Sequence, residues 1–385
     1  SLTGSVLVVP KTTQPEPQPR VGIVGGGQLA LMMAEEAGEL PLHLSLLASA
    51  NSDPATQLIS EHHIGSALDY DAVLSFGQTC DVLTFDHEVV NLEALITLER
   101  DGCVIAPSPR ALQFATDKAF QREVFAEHQL PVPDFIVLRS LDHEAIGAFC
   151  ASRSVVVVKA ARGGYDGRGV TVVHGDPTQL IGELLAHTPV VLEEFLDLEC
   201  EVAISVVTAR DGSSLAYPPV ETVQRNGMCE MVHVPGSLTQ DQLVEATTLA
   251  TDVAALVGAV GVLAIEMFVT SRGVVINEVA TRPHNSGHWS IEGAITSQFS
   301  NHLRAVGGLT LGDTSVRAPF ITMINVVGGD HEPAWDTLGQ LDGAVVHHYR
   351  KENRPGRKLG HVTIVSNDEA LHSRRVQGVR DVLGI

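Results

Sequence analysis

The segment that most restricts the fold is residues 21–36: an apolar run, Val21-Gly22-Ile23-Val24, meets Gly25-Gly26-Gly27, and a helix-forming stretch begins at Gln28. A second apolar run follows at 42–47. Strand, glycine turn, helix and strand form a β-α-β opening, which implies a parallel sheet with helices on its faces. Further alternation runs through 81–85, a helix from Asn91 and an apolar run ending near Ser108. A single helix is predicted over 109–128, stopped by Pro131 and Pro133. Beyond the prolines the texture turns β-rich, with runs at 154–160, 169–173, 190–195 and 201–207, a helix over 239–258 and a strand pair at 261–270 and 273–280. The last part carries runs at 320–327, 344–351 and 360–366. A chain of 385 residues accommodates about two or three domains. The pattern divides it into three units, all α/β or α+β, after a Pro- and Gln-rich start that reads as a disordered tail.

Lys and Arg number 25 against 46 Asp and Glu, a formal charge of -21, which argues against a nucleic-acid-binding surface. Any phosphate this chain handles must meet a local concentration of cations. No apolar run approaches a membrane span. The five cysteines stand far apart without a Cys-x-x-Cys pair, which argues against a zinc site or a disulfide framework and for reduced thiols in a cytoplasmic protein.

Four segments carry chemistry. Residues 25–30 fit G-x-G-x-x-[GA] between strand and helix, where glycines let a phosphate approach a helix N-terminus. Three readings stay open there: a dinucleotide, another phosphate ligand, or a tight turn alone. No acidic residue stands at the tip of the second strand, where Ala48-Ser49 occur, and this weighs against the dinucleotide. Lys159 precedes a glycine-rich loop, 163–169, that lies between two strands. A Walker loop needs a following helix, so this segment suits a flap over nucleotide phosphates. Arg282, His284, Asn285 and Ser286 form a polar loop suited to an anion. Residues 350–358 place five cations in nine positions, the local exception that the net charge demands.

The strand pair gives a geometric expectation. A three-residue loop at 271–273 pairs Thr270 with Val274 and sets Glu266 opposite Glu278. Facing carboxylates repel unless a cation lies between them, and oxygen donors with Asn277 adjacent suit Mg²⁺. A two-residue loop would instead set Glu266 against Asn277 and separate the pair.

Flap, paired acids ending in Asn277-Glu278 and an acidic segment at 193–196 with Glu201 beyond resemble the ATP-grasp fold. GGGQL at 25–29, GGYDGRG at 163–169, RPHNSGHW at 282–289 and RPGRKLGH at 354–361 resemble, more closely, the N5-carboxyaminoimidazole ribonucleotide synthases. After the disordered tail at 1–19, the resemblance implies a Rossmann-like pre-ATP-grasp domain at 20–110, an ATP-grasp domain at 111–310 with a mobile lid near 134–192, and a small β-rich C-terminal domain at 311–385. It implies ATP-dependent carboxylation of 5-aminoimidazole ribonucleotide by bicarbonate, in purine synthesis, by a homodimer. ATP would meet Lys118, Lys159, Gly164, Tyr165, Asp166, Gly167, Arg168, Gly169, the hinge of Glu193, Glu194, Phe195 and Leu196, Glu201 at the ribose, Gln224, Asn277 and Glu278. Glu266 and Glu278 would hold Mg²⁺. Carboxyl transfer would involve Arg168, Arg282, His284, Asn285 and Asp166. The ribonucleotide would meet Tyr165, Ser286, Lys351 and Arg357, and its phosphate the loop at Gly27 and Gln28. Four positions depart from the family pattern: Lys118 for a commoner Arg, Gln224 for His, Ala30-Leu31 for Gly-Arg, and Asp86 for Glu with Glu88 retained. A different ATP-grasp ligase, such as a formate-dependent glycinamide ribonucleotide transformylase, is the alternative activity.

Overall fold

A computed structural model describes residues 18–163, 169–225 and 227–385. The tail at 1–17 and the flap residues Gly164, Tyr165, Asp166, Gly167 and Arg168 lie outside the described residues.

Among the described residues the strands form three sheets. The first is parallel and five-stranded, in the spatial order His62–Ile64, His43–Ala48, Arg20–Val24, Val82–Phe85, Val104–Ile105. Its three central strands are buried on both faces because helices cover both, as the opening pattern requires, while the edge strand His62–Ile64 is largely exposed. The strand order reverses between Arg20–Val24 and Val82–Phe85, and ligands of open α/β sheets bind in the crevice beyond the carboxyl ends at such a point. Gly25 and Asp86 follow those two strand ends.

A four-stranded antiparallel sheet contains Phe135–Leu138, Val190–Glu194, Val155–Ala160 and Val170–His174. The strand Val155–Ala160 carries Lys159, and Val190–Glu194 runs into the expected hinge. The third sheet, nine-stranded, begins with the hairpin Gly273–Ala280 and Gly261–Thr270. It continues through Cys200–Thr208, Val220–Arg225 and Met228–Val234 into Phe320–Val327, Lys358–Ser366 and Ala344–His348. The strands of the C-terminal part therefore extend the sheet that carries the paired acids.

The helix Gln240–Val257 matches the sequence reading because its ends are chemically marked: Thr239 and Gln242 form a capping box, and Gly258 closes it at φ 64°. The single helix predicted over 109–128 is instead two, Pro109–Thr116 and Lys118–Glu127. Asp117 takes an extended backbone at φ -134° and ψ 99°, and its carboxylate accepts from the Ala119 and Phe120 N–H groups, both at 3.1 Å. An aspartate that satisfies orphan N–H groups restarts a helix on a new axis. The restart places Lys118 and Arg122 on one face.

The helix Gln298–Gly307 joins the units. Phe299, Leu303 and Val306 pack into the core of the first sheet with Val21 and Ile23. From the same helix, His302 Nε2 lies 2.8 Å from Thr84 Oγ1, while its Nδ1 accepts the Val262 N–H at 3.1 Å. One buried imidazole thus bridges two sheets.

Candidate active site

The hairpin turn is two residues, not three: Thr270 pairs with Gly273, and the ladder runs regularly to Met267 opposite Ile276. Thr270 Oγ1 donates to the Gly273 carbonyl at 2.9 Å and accepts the Arg272 N–H at 3.1 Å, which closes the short turn. Left regular, that ladder would set Glu266 against Asn277. A β-bulge intervenes, and Glu266 stands opposite Glu278. The expected pairing is present, through the shorter of the two turns considered and a bulge that the sequence reading did not anticipate.

Three cations meet this hairpin. Lys118 Nζ lies 3.3 Å from Glu278 Oε2. Lys159 is buried, 2.7 Å from Glu193 Oε2 and 3.2 Å from Asn277 Oδ1. Arg122, 2% exposed, donates through Nε to Glu193 Oε1 at 2.7 Å, through Nη1 to Gln121 Oε1 at 2.8 Å and through Nη2 to the Asn277 carbonyl at 2.6 Å. Burial opposes ionisation of Glu278, but the charges of Lys118 and Lys159 outweigh it and hold the carboxyl below its ordinary range. Glu193 is likewise held down against burial by Arg122 and Lys159. Burial lowers Lys159, with Glu193 opposing the shift. The donors are hard oxygens compensated by ammonium groups, a set that fits Mg²⁺ and a polyphosphate together.

The residues expected at the hinge and the ribose lie next to this hairpin. Glu194 Oε1 accepts the Asp134 N–H at 3.0 Å and pairs with Arg272 at 2.9 Å, Phe195 is exposed and Leu196 is buried. Glu201 is pushed up by burial and partly restored by a hydrogen bond from Gln224, so the two meet.

The polar loop lies beside the hairpin. His284 Nδ1 is 3.7 Å from Glu266 Oε1 and 2.9 Å from Ser286 Oγ. Burial, with the charges of Arg282 and Lys358, lowers His284 to about 4, so it is a neutral imidazole at physiological pH. Arg282 pairs with Glu88 at 2.7 Å, tying the loop to the first sheet. Asn285 is buried and exchanges two hydrogen bonds with Asn325, at 2.8 and 2.7 Å, which locks the loop to the third sheet. Gln298 fixes the same loop through the His284 N–H and carbonyl.

A cleft of about 820 Å³ opens at the strand-order reversal, lined among others by Gly26, Ser49, Asp86, Arg350, Lys351 and Arg357. The glycine turn and the basic cluster, more than 320 residues apart in sequence, share this wall: Lys351 Nζ donates to Gln28 Oε1. Arg357 Nη1 donates to the Glu352 carbonyl at 3.3 Å. Asp86 caps the helix Gln28–Glu36, accepting the Gly27 N–H at 2.8 Å and the Ala30 N–H at 2.9 Å. That approach requires glycine, since a Cβ on residue 27 would meet Asp86 Oδ2 at 2.4 Å. Behind the polar loop a short helix meets the last two strands: Glu292 pairs with His347 at 2.7 Å, and His347 stacks on His361, whose Nδ1 lies 2.7 Å from Tyr349 Oη.

Three family descriptions match in order: a ribonucleotide synthetase preATP-grasp domain over 19–116, an ATP-grasp domain over 123–299 and a phosphoribosylaminoimidazole carboxylase C-terminal domain over 322–375. The N5-carboxyaminoimidazole ribonucleotide synthase of Mycobacterium bovis is 41% identical over 372 residues, covering 93% of this chain and 86% of the relative. The chain belongs to the N5-carboxyaminoimidazole ribonucleotide synthase family. The enzyme of that name from Synechococcus elongatus is 36% identical, covering 90% of each chain. Among solved structures, the Aspergillus clavatus N5-carboxyaminoimidazole synthase in complex with ADP and 5-aminoimidazole ribonucleotide has a TM-score of 0.87 and 30% identity, covering 96% of this chain and 99% of that one. The ADP complex of a further N5-carboxyaminoimidazole ribonucleotide synthetase has a TM-score of 0.87 and 29% identity over 95% of this chain and 96% of that one.

For a member of the N5-carboxyaminoimidazole ribonucleotide synthase family, three of the four departures have local explanations, and nothing in the structure explains Ala30-Leu31. Lys118 reaches the acid it would serve with a point charge, and Gln224 reaches Glu201. Asp86, one methylene shorter than Glu, is close enough to cap the first helix with both oxygens. Sequence reading missed Arg122, Gln298 and Asn325. Only Arg122 left a signal, a cation four residues after Lys118 on a helix.

Proposed function

We propose that this chain, an ATP-dependent ligase, carboxylates 5-aminoimidazole ribonucleotide with bicarbonate at the junction of the hairpin, the polar loop and the cleft. The observation that carries this reading is the placement of Glu266 opposite Glu278, beside Lys118 and Lys159, with His284 and Arg282 leading from those acids to Glu88 and the first sheet. Bicarbonate oxygen attacks the γ-phosphorus of ATP, giving carboxyphosphate and ADP. The exocyclic amine then attacks the carboxyl carbon, and phosphate leaves, taking up the proton that the amine loses.

Lys118 and Lys159 hold the phosphates, the hinge 193–196 takes the adenine and Glu201 the ribose. Glu266 and Glu278 would hold Mg²⁺, which when bound would neutralise charge developing on the transferring phosphoryl group. Arg282 and neutral His284 bind the anionic carboxyl donor, with His284 offering a hydrogen bond without a fixed charge. Asn285 keeps that loop in place. Lys351 and Arg357 hold the ribonucleotide phosphate at the cleft, with Gly27 and Gln28. Tyr165, Asp166 and Arg168 belong to the flap, whose closure would exclude water from carboxyphosphate, with Asp166 orienting the amine. The divisions at 20–110, 111–310 and 311–385, with a lid over 134–192, accord with this scheme. The family resemblance implies a homodimer, and the dispersed cysteines favour a cytoplasmic location. Among the described residues no helix is long and apolar enough to cross a membrane.

A coupled ADP-release assay with each substrate omitted in turn tests the proposal. Release that requires both the aminoimidazole ribonucleotide and bicarbonate supports it, and release that requires formate and glycinamide ribonucleotide overturns it.

A further inference from the structure

We propose that Arg122 is a positioning residue that holds the β-bulge at Asn277 and thereby the register that sets Glu278 opposite Glu266. The inference deepens the metal-site reading above and rests on it for its functional consequence, though not for its structural one.

A bulge residue loses its ladder partners, so its backbone polar groups must be satisfied elsewhere or remain costly. The Asn277 carbonyl is satisfied by Arg122 Nη2 at 2.6 Å, a charge-assisted bond from a guanidinium only 2% exposed. The Asn277 side chain is taken by Lys159, so both acceptors of the bulge residue are held from outside the hairpin. The two-residue turn favours a regular ladder, in which Glu266 would face Asn277 and Glu278 would point to the opposite side of the sheet. A single extra residue therefore decides whether the two carboxylates share a face. All three nitrogens of the Arg122 guanidinium are engaged, Nε on Glu193, Nη1 on Gln121 and Nη2 on Asn277, so the fork spans the helix Lys118–Glu127, the hinge strand and the hairpin. A lysine has one compact ammonium and cannot serve Glu193 and the Asn277 carbonyl with the same geometry. One turn earlier on that helix, Lys118 meets Glu278 itself.

The test compares wild type with Arg122→Lys, which keeps the charge beside buried Glu193, and with Arg122→Met. Hydrogen exchange of the peptide covering 273–280 reads the bulge directly, and Mn²⁺ electron paramagnetic resonance with a non-hydrolysable ATP analogue reads the acidic pair. Arg122→Lys is expected to keep its melting temperature within a few degrees, to lose protection at 273–280 and to bind Mn²⁺ about tenfold more weakly. KM for the ribonucleotide, whose site lies across the loop, stays within about twofold. If Arg122→Met does not fold, Arg122→Lys alone decides. Unchanged protection at 273–280 in a folded variant overturns the positioning role. Changed protection with unchanged Mn²⁺ affinity overturns its link to the metal. Wild-type protein that binds no Mn²⁺ with the nucleotide, or a Glu278→Gln variant that binds it equally well, overturns the metal-site reading and leaves the exchange result to judge Arg122.

Discussion

Acidification from pH 7.5 to 5.5 should weaken the fold sharply, because several histidines are buried as neutral rings. His302 is fully buried, and burial lowers it to about 3. Its Nδ1 already accepts the Val262 N–H, so a proton there would displace one of the two bonds by which the imidazole bridges the sheets. His284 is lowered to about 4 by burial and by Arg282 and Lys358. His288 and His361 are held well below the ordinary value by burial and neighbouring histidine charge. Below about pH 6.5 the unfolded chain binds protons at these positions while the native chain does not, so their stability is full above that pH and lost as pH falls. At pH 5.5 each such histidine lowers the unfolding free energy by about 1.4 kcal/mol, so His302 and His284 together remove about 3 kcal/mol. His288 and His361 add in the same direction. His347 acts oppositely: burial opposes its charge, but the hydrogen bond and charge of Glu292 outweigh this and raise it, so its contribution is complete below about 6.5 and fades on going alkaline. One group offsets only part of four. Glu278, Glu193 and Glu88 are lowered carboxyls whose contribution is lost only further into acid. Urea unfolding followed through buried Trp289 at the two pH values measures the change. His302→Gln is expected to be less stable than wild type at pH 7.5 and to lose about 1.4 kcal/mol less between the two. Equal wild-type stability at both pH values, or a variant as acid-sensitive as wild type, would refute the reasoning.

Three further outcomes are expected. Glu278→Gln keeps the side-chain shape but removes half of the acidic pair, and should lower bicarbonate-dependent ADP release about a thousandfold; retention of a tenth of the activity would exclude the assigned role. Lys351→Ala and Arg357→Ala should each raise KM for the ribonucleotide about 10- to 100-fold while KM for ATP stays constant, since each removes a charge-assisted bond to phosphate; steady-state kinetics with either substrate varied distinguishes the two. Asp86→Ala strips the cap from the Gly27 and Ala30 N–H groups and should cost about 1 kcal/mol in thermal unfolding, with weaker ribonucleotide binding. An unchanged melting temperature would mean that water replaces the carboxylate fully.

Local chemistry made much of this molecule legible. The parallel sheet follows from an apolar run, three glycines and a helix, and the helix Gln240–Val257 from Thr239, Gln242 and Gly258. Hairpin strands, polar loop and basic turn were each readable because apolar alternation and turn residues act within a few positions. Asp117 was readable in principle, as an N-cap that interrupts the helix predicted over 109–128, but helical periodicity on both sides concealed it.

By itself, the sequence determined the type of the strongly patterned segments and the charges they bring, since strand and helix periods, caps and turns are local preferences. Only the tertiary structure decided which segments meet. It brought the glycine turn to the basic cluster, set Arg122 on the Asn277 carbonyl and placed His302 between two sheets. The physical reason is that a bulge, a buried guanidinium and a neutral buried imidazole are each unfavourable alone, and become stable only when distant residues supply the missing partners.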